Sequence, residues 1–407
     1  MKNFLSRLHG SVYYFNSLIP GLKPLRAYIN WLRANYDMFR QQEEVKAKPL
    51  KLTIEPTNMC HLKCPLCPTG LGIAERDFCE LDIDLLKRLI DELGDYIFFV
   101  DLFNWGEPLF SKNLEEFLRI LNKKHISTTI STNLSVKISE ERIKKIISSG
   151  LNHIIVSLDG ASKDSYNEYR RGGNFDLVIE NMKRFVAIRD KINSNTPYIT
   201  WQFLIFRFNE HEINKAQRMA KEIGVDRIWF QRACLDEGDF KISEKDRIII
   251  RKWIPSDPSL TFYDPKDAEV HYTEPLRALN KVRLKRCDWH YISSAINSDG
   301  NISPCCGLYK KSDDMGYLDS SRENSYMKEI NNDNYKRLRN AFAGRCALPE
   351  DITCSQCING SLMAYATGIN RWILFITIAK IMHYFIQPFY YLSGKNKRPK
   401  LKVKWPD

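Results

Sequence analysis

The chain has 407 residues, 43% of them hydrophobic, and 61 Lys+Arg against 49 Asp+Glu give a formal charge of +12. That much apolar material excludes a disordered or low-complexity protein and suits two or three packed units. The surplus charge sits at the ends, with eight basic and three acidic side chains in residues 1–48, eight and one in residues 368–407, and 45 against 45 between them. The body therefore has no basic stripe of the kind a nucleic-acid partner needs.

Residues 1–48 read as a basic, aromatic helical segment, running from Tyr13-Tyr14-Phe15 through Trp31-Leu32. Lys2, Arg7 and His9 interrupt its start, so no secretory signal is expected and the protein reads as cytoplasmic. In a reducing compartment an odd count of eleven cysteines in tight groups points to metal or redox chemistry rather than disulfides.

From 49 to 232, apolar strand candidates at 50–55, 96–103, 126–131, 153–158, 198–206 and 227–231 alternate with helical patterns near 82–93, 112–124, 139–149, 174–192 and 210–223. Strict alternation means parallel pairing through right-handed crossovers, in an open barrel or a doubly wound sheet, with functional residues where strands end. Residues 233–286 carry Pro255, Pro258, Pro265 and Pro275 and read as a connector with a helix or two. Residues 287–367 are rich in Asn, Ser, Asp and Cys and thin in core residues, which calls for a metal staple. In 368–407 the apolar run from Asn370 to Pro388 bears one polar stripe of Thr377, Lys380, His383 and Gln387. That suits a helix lying in a membrane interface, with Lys395, Lys397, Arg398, Lys400, Lys402 and Lys404 behind it for anionic headgroups. The alternative is a core or dimer helix with a solvated tail.

Cys60, Cys64 and Cys67 follow the first strand with the spacing Cys-x3-Cys-x2-Cys. Three thiolates on one loop can hold three irons of a four-iron, four-sulfur cube and leave the fourth open. Zinc would want a fourth ligand, and His61 sits awkwardly close to Cys60.

Here the sequence resembles the radical S-adenosylmethionine superfamily, whose fold is a partial (β/α)6 barrel. Trp105-Gly106-Glu107-Pro108 is similar to the family's Gly-Gly-Glu-Pro segment, with Trp105 in place of the first glycine. Ser131-Thr132-Asn133 and Ser157-Leu158-Asp159-Gly160 stand at the ends of the third and fourth strands. Tyr169-Arg170-Arg171-Gly172 resembles the loop whose arginine can meet the carboxylate of S-adenosylmethionine; either arginine could serve, and Arg171 is the one carried forward. The resemblance implies cofactor contacts at Gly106, Glu107, Ser131, Asn133, Ser157, Asp159 and Arg171, and a 4Fe-4S cluster on Cys60, Cys64 and Cys67. It also implies a 5′-deoxyadenosyl radical that takes hydrogen from a substrate carbon, and a reduced flavodoxin or ferredoxin type electron donor.

Cys287, Cys305, Cys354 and Cys357 form a second group, spaced Cys-x17-Cys-x48-Cys-x2-Cys, with an Asp299-Gly300 hairpin turn before Cys305. Geometry alone admits zinc. The arrangement resembles the SPASM/twitch extension of the same superfamily, a small α+β domain with a β-hairpin, which implies one auxiliary 4Fe-4S cluster with these four ligands. Cys79 and Cys234 read as ordinary buried residues, whereas Cys306 and Cys346 flank the auxiliary ligands and could replace one or donate hydrogen to a substrate radical.

The expectation is thus a radical S-adenosylmethionine enzyme that oxidises or epimerises a saccharide, a lipid-linked saccharide or a lipid. A segment too short for a peptide-recognition domain, together with the membrane-like ends, favours those substrates over a ribosomal peptide. The alternatives are a peptide-modifying maturase and a membrane-attached iron–sulfur electron-transfer or scaffold protein.

Overall fold

The computed structural model describes residues 21–233, 253–261, 287–320, 325–347, 353–355, 369–370, 373–374 and 377. Cys234, Cys357, most of the expected connector and residues 378–407 lie outside the described residues.

All six expected strands form: β1 (Lys51–Ile54), β2 (Phe99–Asp101), β3 (Ser127–Thr132), β4 (His153–Ser157), β5 (Tyr198–Ile205) and β6 (Arg227–Arg232). They pair in parallel in the order β6-β5-β4-β3-β2-β1, an unclosed barrel. An N-terminal helix, α1 (Leu25–Phe39), precedes them, and the crossovers carry α2 (Ile83–Leu93), α3 (Leu114–Lys123), α4 (Glu140–Ser148), α5 (Phe175–Lys191) and α6 (Ile213–Ile223). Side-chain caps start three of these helices: Asp82 accepts from the Asp84 amide, Ser139 from Arg142 and Asn174 from Leu177. Each such cap is worth about 1 kcal/mol.

The register sorts the strands into two faces, because residues alternate along a strand and partners point the same way. Leu52 and Val100 are paired, as are Ile130 with Ile154, Val156 with Trp201 and Phe203 with Phe230. This face is almost wholly buried, in the same core cluster as apolar residues of the crossover helices. Trp201 satisfies its indole N–H on the Leu158 carbonyl at 2.7 Å, so its whole ring packs without an orphaned donor. The other face, inside the barrel, pairs Asp101 with Thr129, Thr129 with His153 and Ser157 with Gln202. It is polar, and the six strands present their chemistry there.

The barrel sheet does not stop at β1. A short hairpin, β7 (Ala295–Ile296) and β8 (Asn301–Ser303), joins the free edge of β1 through β7, and β9 (Gly316–Tyr317) pairs with β8. The sequence boundary at residue 287 is therefore crossed by a continuous nine-stranded sheet. Gly300 turns the hairpin at φ +83°, and a side chain there would overlap the Leu318 carbonyl. After β9 comes α7 (Asp333–Phe342), capped by Asn332.

Candidate active site

The loops after β1, β2, β3 and β4 converge at one end of the barrel. Cys60, Cys64 and Cys67 stand together on the first, close enough for Cys60 to feel the charge of the other two and Cys64 that of Cys67. Burial pushes the Cys60 thiol up to about 12 and raises that of Cys64. A bound cation would favour the thiolate form of both.

The surrounding backbone is built to hold that loop. Gly106 approaches so closely that a side chain would overlap the Thr57 carbonyl and stand 2.8 Å from the Asn58 Cα. The Glu107 amide donates to the Met59 carbonyl at 2.8 Å. The Glu107 carboxylate is buried and accepts from the Thr132 hydroxyl (2.6 Å) and the Asn133 (2.8 Å) and Leu109 (3.1 Å) amides. Burial raises its pKa, and these donors oppose the rise. Glu107 thus fastens the end of β3 to the loop after β2. Asn133 in turn reaches the Cys60 sulfur at 3.8 Å.

The expected arginine contact needs correction. Arg171 is exposed and donates to the Glu168 carbonyl at the surface. Its neighbour Arg170 points inward, with Nε 2.6 Å from Asp159 Oδ2 and Nη1 3.9 Å from the Cys64 sulfur. Asp159, also expected to touch the cofactor, is wholly buried and spends its other oxygen on the Leu204 amide at 2.7 Å. Burial pushes its carboxyl up and Arg170 opposes this; at that distance the ion pair prevails.

Ser131 and Ser157 do face the barrel interior, where a polar ladder crosses four strands. Ser131 and Ser157 hydroxyls are 3.4 Å apart, Ser157 donates to Gln202 Oε1 at 3.4 Å, and Gln202 donates to Gln231 Oε1 at 2.6 Å. Beside it on β6, Arg227 and Trp229 are exposed, the guanidinium 5.8 Å from the ring centroid. Gln202, Gln231, Arg227 and Trp229 were not candidates from sequence, although their odd-numbered or even-numbered spacing along strands β5 and β6 marks the polar face once the register is known.

A dry shell covers the cysteine loop. Tyr169, Phe206, Phe208 and Trp253 form an aromatic group with centroids 4.8 to 5.9 Å apart, packed with Leu62 and Cys64.

The second cysteine group assembles against the hairpin. Cys305 feels the charges of Cys287 and Cys354 and is joined to them by the same core. Cys354 is placed by its neighbour Thr353, whose amide and hydroxyl both donate to the buried Asp313 carboxylate at 2.8 and 2.7 Å. Cys306 acts on Cys305 alongside Cys287 and Cys354 and is also within electrostatic reach of the Lys51–Asp101 ion pair inside the barrel. Cys346 is exposed, with its sulfur 3.7 Å from the Arg337 carbonyl. Two buried clasps bind the hairpin to the site: Glu55 accepts from the Trp105 amide (2.9 Å) and the Ser298 hydroxyl (3.0 Å), and Arg76 bridges Asp299 and Asp314 at 2.8 and 2.7 Å. Trp105 also donates its indole N–H to Leu308, so the residue that departs from the glycine pattern packs on the second cysteine region.

The Radical SAM superfamily profile matches residues 54–200, and that of an iron–sulfur cluster-binding domain, SPASM, matches residues 287–358. The chain is a radical SAM enzyme. It carries a C-terminal SPASM domain, and its cofactors are S-adenosylmethionine, a 4Fe-4S cluster and an auxiliary iron–sulfur cluster. Among relatives of this radical SAM enzyme, the GTP 3′,8-cyclase of Clostridium botulinum is 23% identical over 313 residues, 70% of this chain and 89% of that protein. The mycofactocin maturase of Mycolicibacterium smegmatis is 32% identical over 178 residues, 44% of this chain and 43% of the maturase. SuiB of Streptococcus suis bound to S-adenosylmethionine shares the fold with a TM-score of 0.53 at 16% identity, covering 81% of this chain and 76% of SuiB.

Proposed function

We propose that this radical SAM enzyme takes hydrogen from a carbon of a saccharide or lipid-linked saccharide and completes an oxidation or an epimerisation. The observation that carries the reading is the ladder Ser131–Ser157–Gln202–Gln231, flanked by Trp229 and Arg227. Hydroxyl and amide groups in series pair with a polyhydroxylated ligand, an aromatic face stacks on a sugar ring, and an arginine suits a phosphate. In this reading Cys60, Cys64 and Cys67 hold the S-adenosylmethionine cluster, and Cys287, Cys305, Cys354 and Cys357 hold the auxiliary one. When bound, the cofactors supply an electron and a primary carbon radical able to attack an unactivated C–H bond.

The chain's own residues then orient and shield. Arg170 places positive charge beside Cys64, Asn133 donates toward Cys60, and the Tyr169, Phe206 and Trp253 shell excludes water. Ser131 and Ser157 offer hydroxyls on the inner face. Cys306, beside Lys51 and Asp101, is the group that can return a hydrogen atom to a substrate radical in an epimerisation. The reducing cytoplasm suits such a protein, with a flavodoxin or ferredoxin as donor and the basic C-terminal tail against an anionic membrane.

A second reading is a peptide-modifying maturase, favoured by the mycofactocin maturase and PqqA peptide cyclase relatives. Anaerobic turnover with cell-extracted saccharide and peptide fractions separates the two, reading 5′-deoxyadenosine made above the background. Stimulation by the saccharide fraction supports the proposal; stimulation by peptides alone refutes it. Solvent deuterium in the product that disappears in Cys306→Ala marks epimerisation, and a product two electrons more oxidised marks dehydrogenation.

A further inference from the structure

The N-terminal helix α1 is built inside out. Its packed positions are Ala27, Asn30, Ala34 and Asp37, small or polar residues spaced three and four apart. Asn30 donates to the Lys48 carbonyl at 2.9 Å and accepts from the Lys48 amide at 2.8 Å; Asp37 accepts from the Lys46 and Ala47 amides, both at 2.9 Å. Polar clasps thus fix the helix to the chain before β1. Facing outward at the same spacing are Leu22, Leu25, Ile29, Leu32, Tyr36 and Phe39, with Leu25 74% and Phe39 82% exposed. An ordinary surface helix shows the reverse pattern. Five large side chains along about 22 Å of helix, with Leu22 just before it, make an apolar strip of a size that soluble monomers rarely leave open.

The other exposed groups of α1 and its C-terminal end are basic. Arg26, Arg33 and Arg40 each follow a strip residue and repeat every seven positions. Arg26 reaches Asp95, and among the described residues no ion pair engages Arg33 or Arg40. The C-terminal region starts on the flank of this same helix: Asn370 accepts from Trp31 Nε1 at 2.6 Å and exchanges hydrogen bonds with Asn35, and Ile373 is buried. The stretch 368–407, with eight basic and one acidic side chain, is thus tied near its start, at Asn370, to the helix that carries the strip.

We infer that the outward face of α1 is a docking surface for an anionic lipid bilayer, its apolar strip entering the headgroup boundary and its arginines meeting lipid phosphates. A second copy of the chain fits less well: zipping two such strips would bring the arginine rows together, with Asp95 already engaged by Arg26, whereas anionic headgroups supply further negative charge. This surface lies outside the saccharide reading and on different residues from the C-terminal tail, so each can fail alone.

The test is co-sedimentation of the full-length, cluster-loaded enzyme with phosphatidylcholine vesicles, with and without about one third phosphatidylglycerol. The wild type should sediment with the anionic vesicles. Ile29→Ser/Leu32→Ser should bind about tenfold more weakly or worse, and Arg33→Gln/Arg40→Gln should lose the preference for phosphatidylglycerol. These positions are exposed, so iron content and melting temperature should not change. The inference is overturned if the wild type stays in the supernatant. It is also overturned if Ile29→Ser/Leu32→Ser binds like wild type while replacement of Lys395, Lys397, Arg398 and Lys400 by serine abolishes binding. A wild-type dimer that Ile29→Ser/Leu32→Ser dissociates, without vesicle binding, would assign the strip to a second copy instead.

Discussion

Replacing Arg170 by methionine isolates the ion pair at the heart of the site. The Asp159 carboxylate is wholly buried and has two strong donors, Arg170 Nε at 2.6 Å and the Leu204 amide at 2.7 Å. Methionine fills much of the volume but leaves the carboxylate with one neutral donor. Breaking a buried pair from one side costs about 3–5 kcal/mol. Asp159→Asn/Arg170→Met removes the stranded charge as well, and the cycle should return a coupling of about 1–3 kcal/mol. Arg171→Met, on the exposed neighbour, should change stability by less than about 0.5 kcal/mol. Anaerobic urea unfolding of these variants and of Asp159→Asn, which closes the cycle, measures these differences, and iron retention reports the hold on Cys64. A loss below about 1 kcal/mol for Arg170→Met, or equal effects at 170 and 171, would show that the pair is not desolvated as described.

Three further outcomes follow from other parts of the structure. Gly106→Ala forces the cysteine loop away from Thr57, and a displacement near 1 Å should cut 5′-deoxyadenosine formation by about a hundredfold; liquid chromatography of quenched turnovers checks it. His153 is half-buried, bonded to the Thr200 hydroxyl at 2.9 Å, and lowered to about 4 by desolvation and then by Arg227. The unfolded chain binds its proton first, so the stability His153 confers is complete above about 6.5 and is lost as pH falls through about 4, a change of about 3 kcal/mol that His153→Gln should remove from the urea midpoint. Cys354→Ala/Cys357→Ala should lower the metal content by about four irons per chain, and loss of one zinc ion instead would contradict an auxiliary iron–sulfur cluster on these residues.

The barrel was legible because short β-branched or aromatic strand segments alternate regularly with periodic amphipathic helices. The two cysteine groups were legible because thiols on short loops have few other uses. What escaped was set by register and by turns. The polar ladder appears only when β4, β5 and β6 are aligned, since Gln202 and Gln231 lie 29 residues apart. Arg170 and Arg171 are the same residue type side by side, and the turn after the short helix Lys163–Tyr169 decides which one enters. Two-residue β7 is too short to announce that it extends the barrel sheet. Asp159 and Glu107 stood at the expected strand ends, yet their oxygens serve the protein's own donors.

The central claim is that the loop bearing Cys60, Cys64 and Cys67 holds a cluster with an iron open to S-adenosylmethionine. Electron paramagnetic resonance of the anaerobically reconstituted, reduced enzyme, recorded before and after S-adenosylmethionine is added, tests it most directly. The account predicts a shifted signal together with 5′-deoxyadenosine, both absent when the three cysteines are replaced by alanine; an unchanged signal with no 5′-deoxyadenosine would contradict it.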